Sequence, residues 1–264
     1  MTRSPERSGP LAEALRLAGA TPLLLPLTAA ERAPDQAALN DAFEALGEGN
    51  FEWLVVSSAT TVLALQEKAA EHGAELRNWL PAGTRVAAVG PASRRALEAA
   101  GVAVHFQPQH DHSAAGIVDG WPGGPAAVLL PQADIAAPAL ARGLEAQGAR
   151  VRTVVAYATV DFPAEPGRRL GRNDSAGAPL PVLTPAEAKA EVDGGVLAAV
   201  VAASPSAVRR IAAALAPLAS CRLVVIGPAT AAEAEAQGLA VAATAREATP
   251  DGLVAAVIRA VVGP

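Results

Sequence analysis

The sequence predicts an α/β fold made of two similar doubly wound parallel-sheet domains, one inserted in the other, joined by a two-stranded linker. Three observations predict it. Short runs of Val and Leu alternate with Ala-rich stretches of helical length, the pattern of repeated βαβ units. Hydrophobic residues make up 51% of the chain but aromatics only 3%, which suits parallel strands buried under Ala-rich helices. The chain also nearly repeats itself. Arg85–Val104 (RVAAVGPASRRALEAAGVAV) and Arg222–Val241 (RLVVIGPATAAEAEAQGLAV) align without a gap at an offset of 137, with nine identities. Upstream of each copy lies a second pair, LVVSSATTV (Leu54–Val62) and AVVAASPSAV (Ala199–Val208), which sets Ser58 opposite Ser204 and Thr60 opposite Ser206. Units of this size are too long for solenoid repeats and point to two related domains.

Taken in order, the apolar runs predict strands at Thr21–Pro26, Trp53–Ser57, Arg85–Val89, Val102–Phe106, Ala127–Leu130, Arg150–Ala156, Leu197–Ala202, Leu223–Ile226 and Leu239–Ala243. Helices are predicted to start near Gly9, Ala37, Thr60, Ala92, Ser113, Ala136, Ser206, Ala229 and Thr249. Several of these starts carry proline or a hydroxyl residue in the first turn, as helix N-termini do. Gly19, Gly73, Gly101, Gly148 and Gly238 follow the ends, where a left-handed C-cap favours glycine. The strands from Trp53 to Arg150 make one five-stranded domain. The second repeat has three strands and needs the N-terminal piece to complete a comparable sheet. The expected boundaries are therefore residues 1–28 and 162–264 for a discontinuous domain and 29–158 for an inserted one. Residues 161–195, rich in proline and glycine, read as a loop with one short helix at Pro185–Val192.

Bulk properties exclude several functions. The net charge of −5 argues against nucleic-acid binding by bulk electrostatics. No apolar run approaches the ~20 residues of a membrane helix, and MTRSPERSGP lacks the apolar region of a signal peptide. Cys221 is the only cysteine, so no intrachain disulfide forms and a cytoplasmic location is the simple reading. No amphipathic strip asks for a partner, so a monomer is expected.

Chemistry concentrates in three places. Gly90-Pro91-Ala92-Ser93 and its twin Gly227-Pro228-Ala229-Thr230 each follow a strand and open a helix. Glycine admits a close ligand, proline pre-sets the first turn, and the N–H groups of that turn suit a carboxylate or phosphate; a plain strand-to-helix turn is the alternative. In Ser57-Ser58-Ala59-Thr60 and Ala203-Ser204-Pro205-Ser206, Thr60 and Ser206 read as helix caps, leaving Ser58 and Ser204 as ligand donors. Tyr157, the only tyrosine, ends a strand and can act as a general acid; packing at a sheet end is its bland alternative. His110 and His112 in QHDHSA hint at a metal but read as a solvated loop. The chain has no GxSxG, Walker or GxGxxG motif.

The series WLVVSSATTV, VAAVGPAS, LLPQADIA, VVAYATV, VVAASPSAV and VVIGPAT, after an opening Thr2-Arg3 and the helix Gly9–Gly19, resembles the uroporphyrinogen-III synthase family over nearly the whole chain. The resemblance implies two α/β domains joined by a two-stranded linker, with the active site between them and no cofactor or metal. It implies a polycarboxylate tetrapyrrole substrate, hydroxymethylbilane, which loses water and closes with its last ring inverted. Tyr157 then matches the family's tyrosine, which assists departure of the hydroxyl. Ser58, Ser93, Ser204 and Thr230 match positions that bind the substrate's acidic side chains, with Gly90 and Gly227 beside them, and Arg3 matches an arginine that contacts a carboxylate. Three departures stand out. Relatives carry an apolar strand before Thr-Arg, which is almost missing here, so the start lies upstream or this domain is altered. Gln132 replaces a residue that is often basic. The 161–195 segment is long. A non-catalytic ligand-binding relative and a transferase of a phosphorylated donor are the competing expectations.

Overall fold

A computed structural model describes residues 1–2, 8–171 and 180–263. In order, the elements are α1 (Gly9–Leu17), β1 (Thr28–Arg32), α2 (Gln36–Gly47), β2 (Trp53–Val56), α3 (Ala59–Glu71), α4 (Leu76–Trp79), β3 (Arg85–Ala88), α5 (Pro91–Ala99) and α6 (Ala114–Asp119). There follow β4 (Ala127–Ala133), α7 (Ala139–Ala146), β5 (Arg150–Asp161), α8 (Pro185–Asp193), β6 (Ala199–Ala202), α9 (Pro205–Leu215), β7 (Arg222–Val225), α10 (Pro228–Ala236), β8 (Val241–Thr244) and α11 (Pro250–Val261). The chain divides into two compact units. Residues 1–29, 161–164 and 173–264 form a terminal unit, and residues 30–160 and 165–172 form an inserted unit. Strands β1 and β5 carry the chain across the boundary between them.

The inserted unit holds a sheet ordered β1-β5-β4-β2-β3, parallel from β5 through to β3. Alternate residues of a strand face opposite sides of a sheet, and both sides are covered here. Leu54, Val56, Val86 and Leu129 pack with Phe43, Leu46, Leu65 and Leu97 of α2, α3 and α5. Trp53, Val55, Ala87, Val128 and Leu130 pack on the other side with Ile117, Leu140 and Leu144 of α6 and α7. Burying each Val, Leu, Ile or Phe among these contributes about 1.5–3 kcal/mol. The continuous apolar runs are the signature of strands covered twice.

The terminal unit repeats this plan on a three-stranded parallel sheet, β6-β7-β8. Val200, Ala202, Leu223 and Val225 face Val192, Val208, Ile211 and Leu215 of α8 and α9. Val201 and Val224 face Leu11 and Leu15 of α1 and Leu253 and Ala256 of α11. The N-terminal piece, expected to complete this sheet, adds no strand to it among the described residues and meets it only through isolated contacts. Thr2 donates its N–H and its hydroxyl to Val201 O, at 3.3 and 2.9 Å. Leu25 N–H donates to Met1 O at 2.8 Å, and Leu24 bridges Val182 in parallel. The Met1 amine donates to Leu23 O at 2.9 Å, and burial lowers its pKa to about 6.

Three readings need correction. Val102–Phe106 makes a single bridge, Ala87 to Phe106, and no strand; Ala103 and His105 are exposed, so the run has no second covered face. Thr21–Pro26 likewise contributes one bridge, at Leu24. The fifth strand of the inserted sheet is β1, in TAAER, whose burial pattern lacks the apolar run that marks the other strands. Residues 165–172, expected with the terminal domain, belong to the inserted unit. Arg32 N–H donates to Arg168 O at 2.8 Å and Leu170 N–H to Ala30 O at 2.9 Å, so this segment lines the outer edge of β1.

Candidate active site

In a parallel α/β sheet, ligands bind outside the carboxyl ends of the strands. Those ends carry the expected residues in each unit. In the inserted unit, Ser58 follows β2 and caps α3. Its backbone is extended (φ −142°, ψ 152°) and its Oγ accepts the Thr61 N–H at 3.0 Å. The same Oγ lies 3.0 Å from Thr61 Oγ1 and 3.1 Å from Tyr157 Oη, and either hydroxyl can donate in each pair. Ser58 and Tyr157, 99 positions apart, are thus joined directly. Three hydroxyls form a line that runs from the buried Thr61 to the half-buried phenol.

The main chain around Tyr157 is held by Asp134, a residue the sequence reading passed over. A register shift between Gln132 and Ala133 sets Ala133 opposite Tyr157. Asp134 then donates its N–H to Tyr157 O at 3.0 Å, and its Oδ1 accepts the Thr159 N–H at 2.8 Å. Bulges of this kind re-aim side chains. Only the register, which sequence does not show, could have flagged Asp134.

Gly90 and Gly227 are the N-caps of α5 and α10, and no side chain caps either helix. By contrast α3, α9 and α11 carry hydroxyl caps. The φ values, −139° and −179°, are extended and open to any residue. A Cβ at Gly227 would meet nothing within 4 Å, and one at Gly90 would meet only His112, at 3.8 Å. Neither backbone strain nor protein packing therefore requires glycine at these two positions. What glycine preserves is a first turn without a side-chain cap, where the helix dipole favours an anion; in α10 the Thr230 N–H is donated to Gly227 O at 3.1 Å.

The remaining expected residues fall as follows. Ser93 and Thr230 are third in their helices and only 2% and 3% exposed, so their hydroxyls lie within the protein beneath those loops. Ser204 Oγ accepts the Ala207 N–H at 3.2 Å and lies 3.1 Å from Ser206 Oγ. The caps are therefore Ser58 and Ser204. Thr60 and Ser206 sit inside the first turns, because only the residue with extended backbone can reach the N–H three positions on. Gln132 is half-buried on β4, opposite Val155. Arg3 lies outside the described residues. His110, Asp111 and His112 are exposed, and among the described residues no group of three or more His, Cys, Asp or Glu is placed to hold a metal. An open cavity of about 560 Å³ is lined by His105, Gln107, His110, Asp111 and Asp119 together with Arg94. Arg94, the one arginine of that lining, is paired with Glu98 at 2.8 Å. No helix of the described residues is long and apolar enough to cross a membrane.

Fold and site together define a duplicated α/β protein with uncapped glycine turns at two sheet ends and a tyrosine–serine pair at one. A family model described as uroporphyrinogen-III synthase HemD matches residues 9–255. The chain belongs to the uroporphyrinogen-III synthase family. It is similar to the uroporphyrinogen-III synthase of Synechococcus elongatus, with 29% identity over 159 residues, 59% of this chain and 58% of that protein's length. Its fold resembles a solved mutant uroporphyrinogen III synthase from Thermus thermophilus (TM-score 0.63, 18% identity, 99% of this chain and 97% of that one). It also resembles uroporphyrinogen-III synthetase from Helicobacter pylori (TM-score 0.57, 15% identity, 88% and 90%).

Proposed function

We propose that the protein is a uroporphyrinogen-III synthase acting on hydroxymethylbilane, with Tyr157 as the group that protonates the departing hydroxyl. The observation that carries this is the 3.1 Å pair of Tyr157 Oη and Ser58 Oγ. With Ser58 donating to the phenol oxygen, Tyr157 can give up its own proton and the Ser58 hydroxyl supports the phenolate left behind. The C–O bond breaks, the oxygen leaves as water, and the pyrrole nitrogen's electrons stabilise the carbon cation. Attack by the substituted carbon of the last ring, fragmentation and reclosure invert that ring. The proton lost when aromaticity returns balances the one Tyr157 gave.

The substrate cyclises without help to the wrong isomer, so the protein's main task is restricting conformation. The Gly90 and Gly227 turns suit this, since each offers main-chain N–H groups to a carboxylate without a cationic side chain. Ser204 and Arg3 add contacts in this reading, while Ser93 and Thr230 support the turns from beneath. We take the working form as a monomeric cytoplasmic protein, consistent with a single buried cysteine.

The test is product analysis. Hydroxymethylbilane is supplied with and without protein, the products are oxidised, and type I and type III uroporphyrins are separated. Type III in excess is expected. Type I alone from folded protein would overturn the proposal.

A further inference from the structure

The segment Glu165–Gly171 is fastened to the inserted unit by two carboxylates. Glu31, 4% exposed, accepts the Glu165 N–H at 2.9 Å and pairs with Arg168 at 3.1 Å. Glu67 on α3 accepts the Gly171 N–H at 2.6 Å through one oxygen and holds Arg32 at 3.0 Å through the other. The fit is close: a Cβ on Gly171 would come within 2.8 Å of Leu63 Cδ2, and Gly171 has φ +84°, which favours glycine. Between these anchors, Leu170 is buried in a small cluster with Ala33, Leu39, Ala64 and Ala156. Tyr157 packs against that same cluster. Glu67 and Ala64 lie on α3, the helix that Ser58 caps. One strap therefore touches the helix behind Ser58 and the packing behind Tyr157.

We propose that Glu67 is a positioning residue for the Tyr157–Ser58 pair. Its carboxylate holds Gly171, Gly171 seats Leu170, and Leu170 fills the cluster on which the phenol ring rests. Packed interiors transmit such displacements because side chains interdigitate with few voids. This rests on the reading that Tyr157 donates the proton. A misplacement on the order of 1 Å at a reacting group can cost ~100-fold in rate, so a loosened ring acts on turnover rather than on substrate affinity.

The test exploits Tyr157 as the sole tyrosine: 3-fluorotyrosine labelling of the full chain gives one 19F resonance, which reports its environment. Glu67→Ala and Leu170→Ala are expected to shift or broaden that resonance. They are also expected to lower kcat for type III formation about ten-fold with KM changed less than about two-fold. Glu67→Gln keeps an oxygen for the Gly171 N–H and is expected to restore both readouts. Should Leu170→Ala not fold, Leu170→Val takes its place, since it removes a single methylene. An unmoved 19F resonance in folded Glu67→Ala, or a rise in KM at constant kcat, would overturn the proposal. If instead Tyr157→Phe keeps full turnover, the proton-donor reading fails and takes the catalytic role of Glu67 with it, whatever the 19F spectrum shows.

Discussion

Ser58 and Ser204 stand at matching places in two copies of one plan, yet their surroundings differ. Each follows a buried strand, has extended backbone and caps its helix through the N–H three residues on. Ser58 Oγ then meets Tyr157 at 3.1 Å, whereas Ser204 Oγ meets Ser206 at 3.1 Å. The glycine turns are more alike: α5 and α10 share the 137-residue offset at both ends, and both lack side-chain caps. Duplication preserved the uncapped glycine turn in both units. Only the inserted unit adds a tyrosine to its serine, because β5 brings Tyr157 beside Ser58; in the proposed reading that tyrosine is the proton donor. The comparison teaches that two copies of one scaffold can keep the same helix caps and turns while only one gains a hydroxyl partner from a distant strand.

The comparison can be broken first at Tyr157. Tyr157→Phe is expected to lower type III formation ~100-fold or more, the scale of lost general acid catalysis, with a melting temperature near that of the parent. Unchanged turnover in stopped-time product analysis would leave the two serines functionally equal.

The glycine turns come next. Gly227→Ser places its Cβ in open space and its φ suits any residue, and serine is a better N-cap than glycine by a few tenths of a kcal/mol. Stability measured in urea is therefore expected to hold or rise slightly. The new hydroxyl competes for the first-turn N–H groups, so KM is expected to rise about ten-fold. Gly90→Ser is expected to behave alike, its Cβ meeting His112 at an ordinary 3.8 Å. A KM that stays put in both variants would make the turns structural.

The serine pair sharpens the contrast. Ser58→Ala and Ser204→Ala each remove a cap, and each is expected to cost about 1 kcal/mol by denaturant titration. Only Ser58→Ala is expected to lower kcat as well, by several-fold.

The smallest effect is a pH dependence confined to the terminal unit. With its amino group free, Met1 has a pKa of about 6 in the folded chain, lowered from 8.0 by burial. Between those values the unfolded chain binds more protons, so stability rises with pH from about 6 to 8 and is lower, and level, below that window. N-terminal acetylation is expected to flatten the slope in thermal melts taken across the window. Burial also raises the nearby Cys221 thiol, so alkylation of the native protein at about pH 8 is expected to lag behind that of the unfolded chain.

Much of the fold was readable without coordinates. LVV, VAAV, VVA and LVVI are apolar on both faces, and strands buried twice carry their signal in composition alone. Pro at the first turn and Gly after the last located α5 and α10 almost to the residue, and Pro205 marked the start of α9. Strand β1 escaped because TAAER has one buried position and owes its conformation to its neighbours: β5 on one edge, Arg168 and Leu170 on the other. Val102–Phe106 misled for the converse reason, being β-prone but uncovered on one side. In the candidate site, Tyr157, Ser58 and both glycines were visible as residue types at strand ends, while Asp134, Thr61 and Glu67 were not.

The sequence by itself therefore determined the class, the duplication and the two glycine turns. These depend on periodicity, capping chemistry and local backbone preference, which act within a few residues. Only the tertiary structure decided that Ser58 meets Tyr157 across 99 positions, that a bulge places Asp134 behind that tyrosine, and that Glu165–Gly171 folds back as a strap. Such contacts follow from strand register and from which carboxylates find an N–H to accept, and those are properties of the packed chain as a whole.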